Sequence, residues 1–281
     1  MVKVKYIFFI IISINIFFCS KKDRIITIGG CVTETVFKLG KGNLVIAVDQ
    51  SSTTPSEVKD LPQVGYIRAI ASEGILSMIP SKILTTTDMG PVKVIEQIKN
   101  SGVDLEIFKS PHNYDEILDL IDNISSILNT KDEAKNIKDE INLKKDNIDK
   151  IKDNYTHTPQ IAFFMSPAAK SYNAAGSGTR ADYLIDFIGG ENIFQNKFNR
   201  YKKVTSEEII NLNPDIILIG SISSSNTKTN LIFSSKSEFK DISAVKNNKI
   251  FYIDMGKYLS FGPSFADNAL DLITIIDVEK K

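Results

Sequence analysis

Apolar and polar positions along the chain alternate between short strand-like runs and stripes with helical spacing. Strands are predicted at residues 24–28, 44–48, 82–86, 105–108, 160–165, 216–219 and 250–253. Helices are predicted between them at residues 33–40, 73–78, 92–99, 181–188 and 207–212. Strands that alternate with helices in this way predict α/β layers built around mostly parallel sheets.

A long helix is predicted in the middle of the chain, because residues 113–154 contain no strand candidate. From Lys131 onward, apolar residues recur at spacings of three, four and seven and form one stripe: Ala134, Ile137, Ile141, Ile148 and Ile151. The many lysines and aspartates around the stripe indicate a solvated face. We therefore expect a rigid connector between two lobes.

One internal repeat supports two lobes. Residues 72–84 (SEGILSMIPSKIL) align without gaps on residues 206–218 (SEEIINLNPDIIL). In each copy a serine before an acidic residue favours a helix start, a proline ends the helix, and a strand follows. Repeated units of this kind predict pseudo-symmetric lobes, expected at residues 24–128 and 158–281 with the connecting helix at residues 129–155.

The N-terminus has the pattern of an export signal, predicted to end at residue 19. Lys3 and Lys5 precede an apolar run at residues 7–18, which is shorter than the roughly 20 residues of a membrane span. Cys19 and the polar residues after it resemble a bacterial lipobox, which implies an acylated Cys19 and a lipoprotein anchored at the periplasmic face. Phe18 stands where a lipobox usually has a small residue, so an uncleaved anchor and a plain signal remain alternatives.

Composition narrows the classes of function. The 281 residues carry 34 Lys and Arg and 34 Asp and Glu, so no net charge favours a nucleic-acid partner. Cys31 is the one cysteine besides Cys19 and is expected to pack as a small hydrophobe without a disulfide. With only two histidines and no CxxC pair, HExxH, Walker A or nucleophile-elbow pattern, the sequence gives little support to zinc or triad chemistry. We expect a monomer that is not an enzyme.

Two segments carry a resemblance to a known family. Residues 63–77 (QVGYIRAIASEGILS) resemble the segment that supplies the axial tyrosine in haem-binding members of the periplasmic binding proteins of haem, siderophore and cobalamin importers. Residues 174–193 (AAGSGTRADYLIDFIGGENI) are similar to the glycine-rich turn and following helix of that group. The resemblance implies a class III periplasmic binding protein, with two Rossmann-like βα lobes joined by a single long helix.

The resemblance also implies a function: a solute-binding lipoprotein that captures haem and delivers it to an ABC transporter. Tyr66 is the expected axial ligand, because ferric iron favours a hard anionic donor and in turn favours the phenolate form of tyrosine. If residues 66–68 are extended, Arg68 lies on the same side as Tyr66 and reaches the phenolate oxygen or a haem propionate.

Other side chains are candidates for the rest of the site. Arg180 follows the glycine-rich turn at a helix start and is expected to hold a carboxylate, although a surface arginine that caps its own loop fits the pattern equally. His112 follows a predicted strand and is expected at the cleft as a second axial or distal contact. An apolar slot for the macrocycle is predicted from residues near strand ends, each of which also fits a core position: Met89, Met165, Tyr258 and Phe261.

Glu73 and Glu207 occupy equivalent positions of the internal repeat. The resemblance implies that they meet arginines on the two transmembrane subunits of the transporter, and each also favours its own helix N-terminus. Alternative cargoes are a ferric siderophore, a corrinoid or a metal ion. Alternatives of another class are a structural surface lipoprotein and a two-lobed α/β enzyme, although no coherent nucleophile, base and orienting group is found.

Overall fold

The first lobe is a parallel sheet flanked by helices. The computed structural model describes residues 23–165, 172–221, 233, 237–276 and 278, so the predicted leader and Cys19 lie outside the described residues. The strands are β1 (Ile25–Ile28), β2 (Val45–Val48), β3 (Lys82–Thr86) and β4 (Asp104–Phe108). They are parallel in the order β2-β1-β3-β4. The helices of this lobe are α1 (Gly30–Lys38), α2 (Ser72–Leu76) and α3 (Val92–Asn100).

Helix α4 (Tyr114–Leu128) follows β4, and α5 (Lys131–Lys152) is the long helix that connects the lobes. The Asn113 side chain caps the start of α4 by accepting a hydrogen bond from the Glu116 N–H, and Asn129 ends α4 in the left-handed conformation with φ 55°. The predicted apolar stripe of α5 is confirmed, with Ala134, Ile137, Ile141 and Ile148 buried.

The second lobe contains a mixed sheet. Its strands are β5 (Gln160–Met165), β6 (Tyr172–Ala175), β7 (Glu191–Asn192), β8 (Tyr201–Val204), β9 (Ile216–Ser221) and β10 (Ile250–Asp254). The order is β10-β9-β5-β6-β8, and β7 also pairs with β5. Its helices are α6 (Arg180–Phe187), α7 (Ser206–Leu212), α8 (Ser243–Lys246), α9 (Met255–Tyr258) and α10 (Phe265–Ile276).

The core is divided by the two sheets. The largest apolar cluster joins one face of each sheet to helices α1, α4, α5 and α10, while a separate cluster covers the other face of each sheet. Because the same cluster contains residues of both lobes and of α5, the connector is part of the core. The α/β class with two lobes is therefore confirmed. Among the described residues, no helix combines the length and hydropathy that a membrane span requires.

The internal repeat is a structural repeat. Helix α2 leads into β3 in the first lobe as α7 leads into β9 in the second. Ile79 and Asn213 stand at equivalent places after these helices with φ of 49° and 43°, and each precedes a buried proline. Asparagine tolerates this conformation, whereas a β-branched residue with positive φ is strained. The two copies of the repeat thus share one backbone path despite different side chains.

Some elements were not predicted. Helix α10 was missed although its apolar residues recur at helical spacing, and it buries Ala269, Leu272 and Ile276 against the connector side of the protein. Strands β6 and β8 pair antiparallel and lack a clear alternating pattern. For these two strands tertiary packing decides the structure, because short segments with weak periodicity carry little local preference.

Candidate ligand-binding cleft

A cleft lies between the lobes at the carboxyl ends of β1 and β3. These strands are neighbours where the strand order reverses, which is the place where open α/β sheets bind ligands. The cavity has a volume of about 370 Å³. Its first-lobe wall includes Tyr66, Arg68, Asp88 and His112. Its second-lobe wall includes Met165, Arg180, Arg200, Tyr201, Met255 and Leu259.

Backbone hydrogen bonds on both sides of Tyr66 hold the loop that carries it. The Gln50 N–H donates to the Gly65 carbonyl at 2.9 Å, and the Gly90 N–H donates to the Ile67 carbonyl at 2.9 Å. Gly65 has φ 109°, a conformation that favours glycine. Ile67 is buried, whereas the Tyr66 side chain is 48% exposed at the cleft. The loop therefore holds a large, accessible phenol on a fixed backbone.

Arg68 reaches the cleft by a different route from the one predicted. Residues Ile67–Ala69 form a turn of 3₁₀ helix, so the expected extended geometry of residues 66–68 is wrong. Both side chains nevertheless line the cavity, because the turn begins at Tyr66 and its apolar residue Ile67 points into the core. The Arg68 guanidinium lies 3.6 Å from the Asp88 carboxylate.

Asp88 links the two lobes. Its carboxylate accepts hydrogen bonds from the Ser110 hydroxyl at 2.5 Å and from Nη2 of Arg180, on α6 of the second lobe, at 3.2 Å. Burial raises the pKa of Asp88, but the hydrogen bond from Ser110 and the positive charges of Arg180 and Arg68 outweigh it and lower the pKa overall. The carboxylate is therefore ionised at neutral pH and offsets part of the positive charge of the cleft.

Arg180 lines the cavity but most of its donors are engaged by the first lobe. Its Nη2 also donates to the Ser110 hydroxyl at 2.6 Å, and its Nε donates to the Pro111 carbonyl at 3.0 Å. Behind it, the ring of Phe261 lies 5.7 Å from the guanidinium carbon. Sequence reasoning expected this guanidinium to be available for a ligand carboxylate.

Three predicted lining residues lie elsewhere. Met89 is packed in the core of the first lobe and is 4% exposed. Tyr258 is buried and donates its hydroxyl proton to Asp271 at 2.6 Å. Phe261 is fully buried against Phe265, with ring centroids 4.4 Å apart. The expectation that these residues line the slot is wrong, because each has a better-packed position behind the cleft wall.

His112 and Met165 do lie on the cavity wall. The Nδ1 atom of His112 lies 2.8 Å from the Ser110 carbonyl oxygen. A carbonyl oxygen only accepts, so Nδ1 is the donor, and in the neutral imidazole Nε2 then has the free lone pair. Metal-binding imidazoles are commonly oriented in this way. Met165 ends β5 and contributes an apolar surface opposite the first lobe.

Arg200 and Tyr201 are cleft residues that sequence reasoning missed. Arg200 has φ 65° and is held by backbone hydrogen bonds to Gly176 and Ser177. Gly176 permits this approach, since a Cβ there would lie 2.1 Å from the Phe198 carbonyl. Burial raises the pKa of Tyr201 against the opposing charges of three arginines, so its phenol stays neutral. No local pattern marks these residues, because their place depends on the pairing of β8 with β6.

The floor of the cleft is a smaller compartment of about 150 Å³ that reaches Gly29 and Gly30. The fully buried Asp49 holds this floor, accepting hydrogen bonds from the Gly29 N–H at 2.8 Å and the Ser52 hydroxyl at 2.6 Å. Cys31 lies in the first turn of α1, where burial raises its thiol pKa to about 12. This thiol is a packing group, as predicted.

Glu73 and Glu207 lie in the first turns of α2 and α7 and are both exposed. Among the described residues, neither carboxylate has an ion pair. His157, by contrast, is exposed after α5 and lies away from the cleft, beside Pro159 and Asp215. The structural repeat thus presents one unpaired acid on each lobe.

Residues 25–255 match the family Periplasmic binding protein, and the chain belongs to this family. The family consists of binding proteins that work with ABC transporters.

Sequence relatives and structural neighbours differ in the ligand that they name. The Vitamin B12-binding protein of Vibrio parahaemolyticus serotype O3:K6 is 24% identical over 69% of this chain and 70% of its own length. The apo form of the periplasmic heme-binding protein RhuT from Roseiflexus sp. RS-1 is 26% identical, with a TM-score of 0.84 over 91% of this chain and 98% of its own. The periplasmic heme-binding protein BhuT, in complex with two hemes, is 26% identical with a TM-score of 0.83, over 90% and 97% of the two chains.

Proposed function

We propose that this protein captures haem in the cleft and delivers it to an ABC transporter, with Tyr66 as the axial ligand of the iron. The observation that carries the proposal is the exposed phenol of Tyr66, on a loop held by backbone hydrogen bonds, in a cavity that Arg68 also lines. Fe(III) stabilises a phenolate ligand by direct bonding. The structural neighbours that are named as heme-binding proteins support the same cargo.

The charge of the cleft supports a ligand with two carboxylates. Among the residues that the structure describes, three arginines line the cavity against one ionised aspartate: Arg68, Arg180, Arg200 and Asp88. Guanidinium groups bind carboxylates through paired, charge-assisted hydrogen bonds. Haem carries two propionates, so its charge matches the surplus of positive groups. Arg68 and Arg200 are the arginines that we assign to the propionates.

The remaining lining supports a flat apolar ring system. Met165, Met255 and Leu259 supply apolar surface on the second lobe. The cavity volume lies within the range of about 300–1,000 Å³ that is typical of small-molecule sites. His112 is proposed as the distal contact, because its Nε2 atom is the imidazole nitrogen left without a proton.

A corrinoid is the second candidate cargo, and the sequence relatives named as vitamin B12-binding proteins favour it. The ring side chains of cobalamin end in amides, which do not match a surplus of arginines. A bare metal ion has less support, because the described residues contain no cluster of three or more His, Cys, Asp or Glu side chains that could hold one.

Titration of the purified protein with hemin and, separately, with cyanocobalamin tests the cargo. We expect saturable hemin binding near one equivalent with a shifted Soret band, and no displacement of hemin by excess cyanocobalamin. Saturable cobalamin binding without hemin binding would show that the corrinoid is the cargo. Binding of neither compound would remove the proposed function.

Delivery requires export and docking, and both belong to the proposal. Cys19 is proposed as the lipid attachment site, and incorporation of labelled fatty acid into wild type but not Cys19→Ala tests it. Glu73 and Glu207 are proposed to contact arginines of the transmembrane subunits, one from each lobe. Their exposure and lack of an ion pair among the described residues leave both carboxylates available.

A further inference from the structure

Arg180 begins α6 in the second lobe, yet its polar contacts lie in the first lobe. Its acceptors are Asp88 at 3.2 Å, Ser110 at 2.6 Å and the Pro111 carbonyl at 3.0 Å. Asp88 follows β3 and the other two follow β4, so one side chain joins two strand ends of the opposite lobe. These contacts are partly shielded, since the Arg180 and Asp88 side chains are 21% and 26% exposed.

The Arg180 guanidinium also contacts its own lobe. The guanidinium lies over the Phe261 ring, which packs against Tyr183 with centroids 5.8 Å apart. Phe261 itself has φ 55°, and a bulky residue in that conformation persists only where its surroundings impose it. The loop that contains Phe261 makes a further contact with the first lobe, because the Ser264 N–H donates to the buried Glu34 carboxylate at 2.7 Å.

We propose that Arg180 is a positioning residue that ties the two lobes together and sets the width of the cleft. Asp88 and Ser110 are the first-lobe half of this tie. Removal of either half frees the same contact, because the three groups form one hydrogen-bonded unit. A guanidinium whose Nε and Nη2 are already engaged by the protein acts on the ligand through lobe spacing, and Arg68 is left to meet the ligand's charge.

The distance between the lobes of the ligand-free protein tests the tie. Spin labels at Lys99→Cys and Asn211→Cys, both exposed, report this distance by pulsed electron resonance in a Cys19→Ser background. We expect Arg180→Gln to broaden the distance distribution, and the double variant Asp88→Asn/Ser110→Ala to broaden it by a similar amount. The triple variant is expected to be little broader than either of these. Lys138→Gln is the matched control, because it breaks an ion pair with Asp122 that joins α5 to α4. We expect it to leave the distance distribution unchanged.

An unchanged distribution in Arg180→Gln, or independent and additive effects of the two halves, would overturn the proposal. A second measurement separates a tie from a direct ligand contact. If Arg180 acts through lobe spacing, Arg180→Gln weakens haem and haem dimethyl ester binding by the same factor. A loss confined to haem would assign Arg180 to a propionate instead. The distance measurement needs no ligand, so failure of haem binding would leave the test of the tie intact.

Discussion

Tyr66 and Arg68 line one cavity from either side of Ile67, which is buried at the start of a 3₁₀ turn. The buried isoleucine anchors the turn, and the residues on either side are turned toward the cleft. The same loop therefore supplies both a phenol and a guanidinium to the cavity. The pairing does not require an extended backbone.

Arg68→Gln is expected to weaken haem binding about tenfold, the value of one charge-assisted hydrogen bond. The loss should vanish for haem dimethyl ester, because the esterified ligand has no carboxylate for Arg68 to hold. Lys93→Gln, an exposed change of the same charge on the same lobe, serves as the control. Equal losses for haem and its ester would assign Arg68 to the phenolate of Tyr66 rather than to a propionate.

Ile79→Asn is expected to stabilise the protein by about 1 kcal/mol, because asparagine accepts the left-handed backbone that strains isoleucine. The side chain is 70% exposed, so little apolar burial is lost. Urea unfolding of wild type, Ile79→Asn and Ile79→Val measures the effect, and the valine variant keeps the strain. Equal stability of the asparagine and valine variants would contradict this account of the repeat.

Glu34→Gln is expected to change the pH dependence of unfolding. Burial raises the pKa of Glu34 above its ordinary value of 4.5, against the hydrogen bonds from Ser264 and the charge of Lys38. The folded protein then holds this proton more tightly than the unfolded chain, so wild-type stability falls as pH rises from 4.5 through the raised pKa. The stability of Glu34→Gln relative to wild type should therefore rise with pH across that window and stay constant below it.

Glu208→Gln provides a comparison of opposite sign. The hydrogen bond from the Thr205 N–H lowers the pKa of Glu208, so its contribution is present above the ordinary pKa and is lost as pH falls. Glu208→Gln should be less stable than wild type at neutral pH, and the difference in stability should disappear in acid. Parallel pH profiles for wild type and Glu34→Gln would refute the role assigned to the buried carboxylate.

Glu73→Gln and Glu207→Gln are each expected to weaken coupling to the transporter about two- to fivefold, the range of a solvated ion pair. Haem affinity should not change, because both residues lie outside the cleft lining. Ligand-stimulated ATP hydrolysis by the reconstituted transporter measures coupling, with Glu96→Gln as an exposed control on the first lobe. Stimulation that is unaffected in the double variant would exclude these acids from docking.

Local patterns in the sequence predict most of the fold but only part of the cleft. Strand β5 and the stripe of α5 follow from periodicity, and the position of Tyr66 follows from a family resemblance. The hydrogen bond between Asp88 and Arg180 joins residues 92 positions apart, and the sequence around either residue does not indicate its partner. Arg200 reaches the cleft only because β8 pairs with β6. Contacts of this kind depend on tertiary packing, which periodicity does not encode.

The central claim is tested most directly by hemin titration of wild type and Tyr66→Phe, followed by absorbance in the Soret region. Tyr258→Phe is the matched control, since that phenol is buried against Asp271 outside the cleft. We predict that Tyr66→Phe loses at least about tenfold in affinity, together with the spectrum of a tyrosinate-bound ferric haem, because even groups that only orient a metal ligand contribute that much. Tyr258→Phe should bind as wild type does. Unchanged affinity and an unchanged spectrum in Tyr66→Phe would contradict the account.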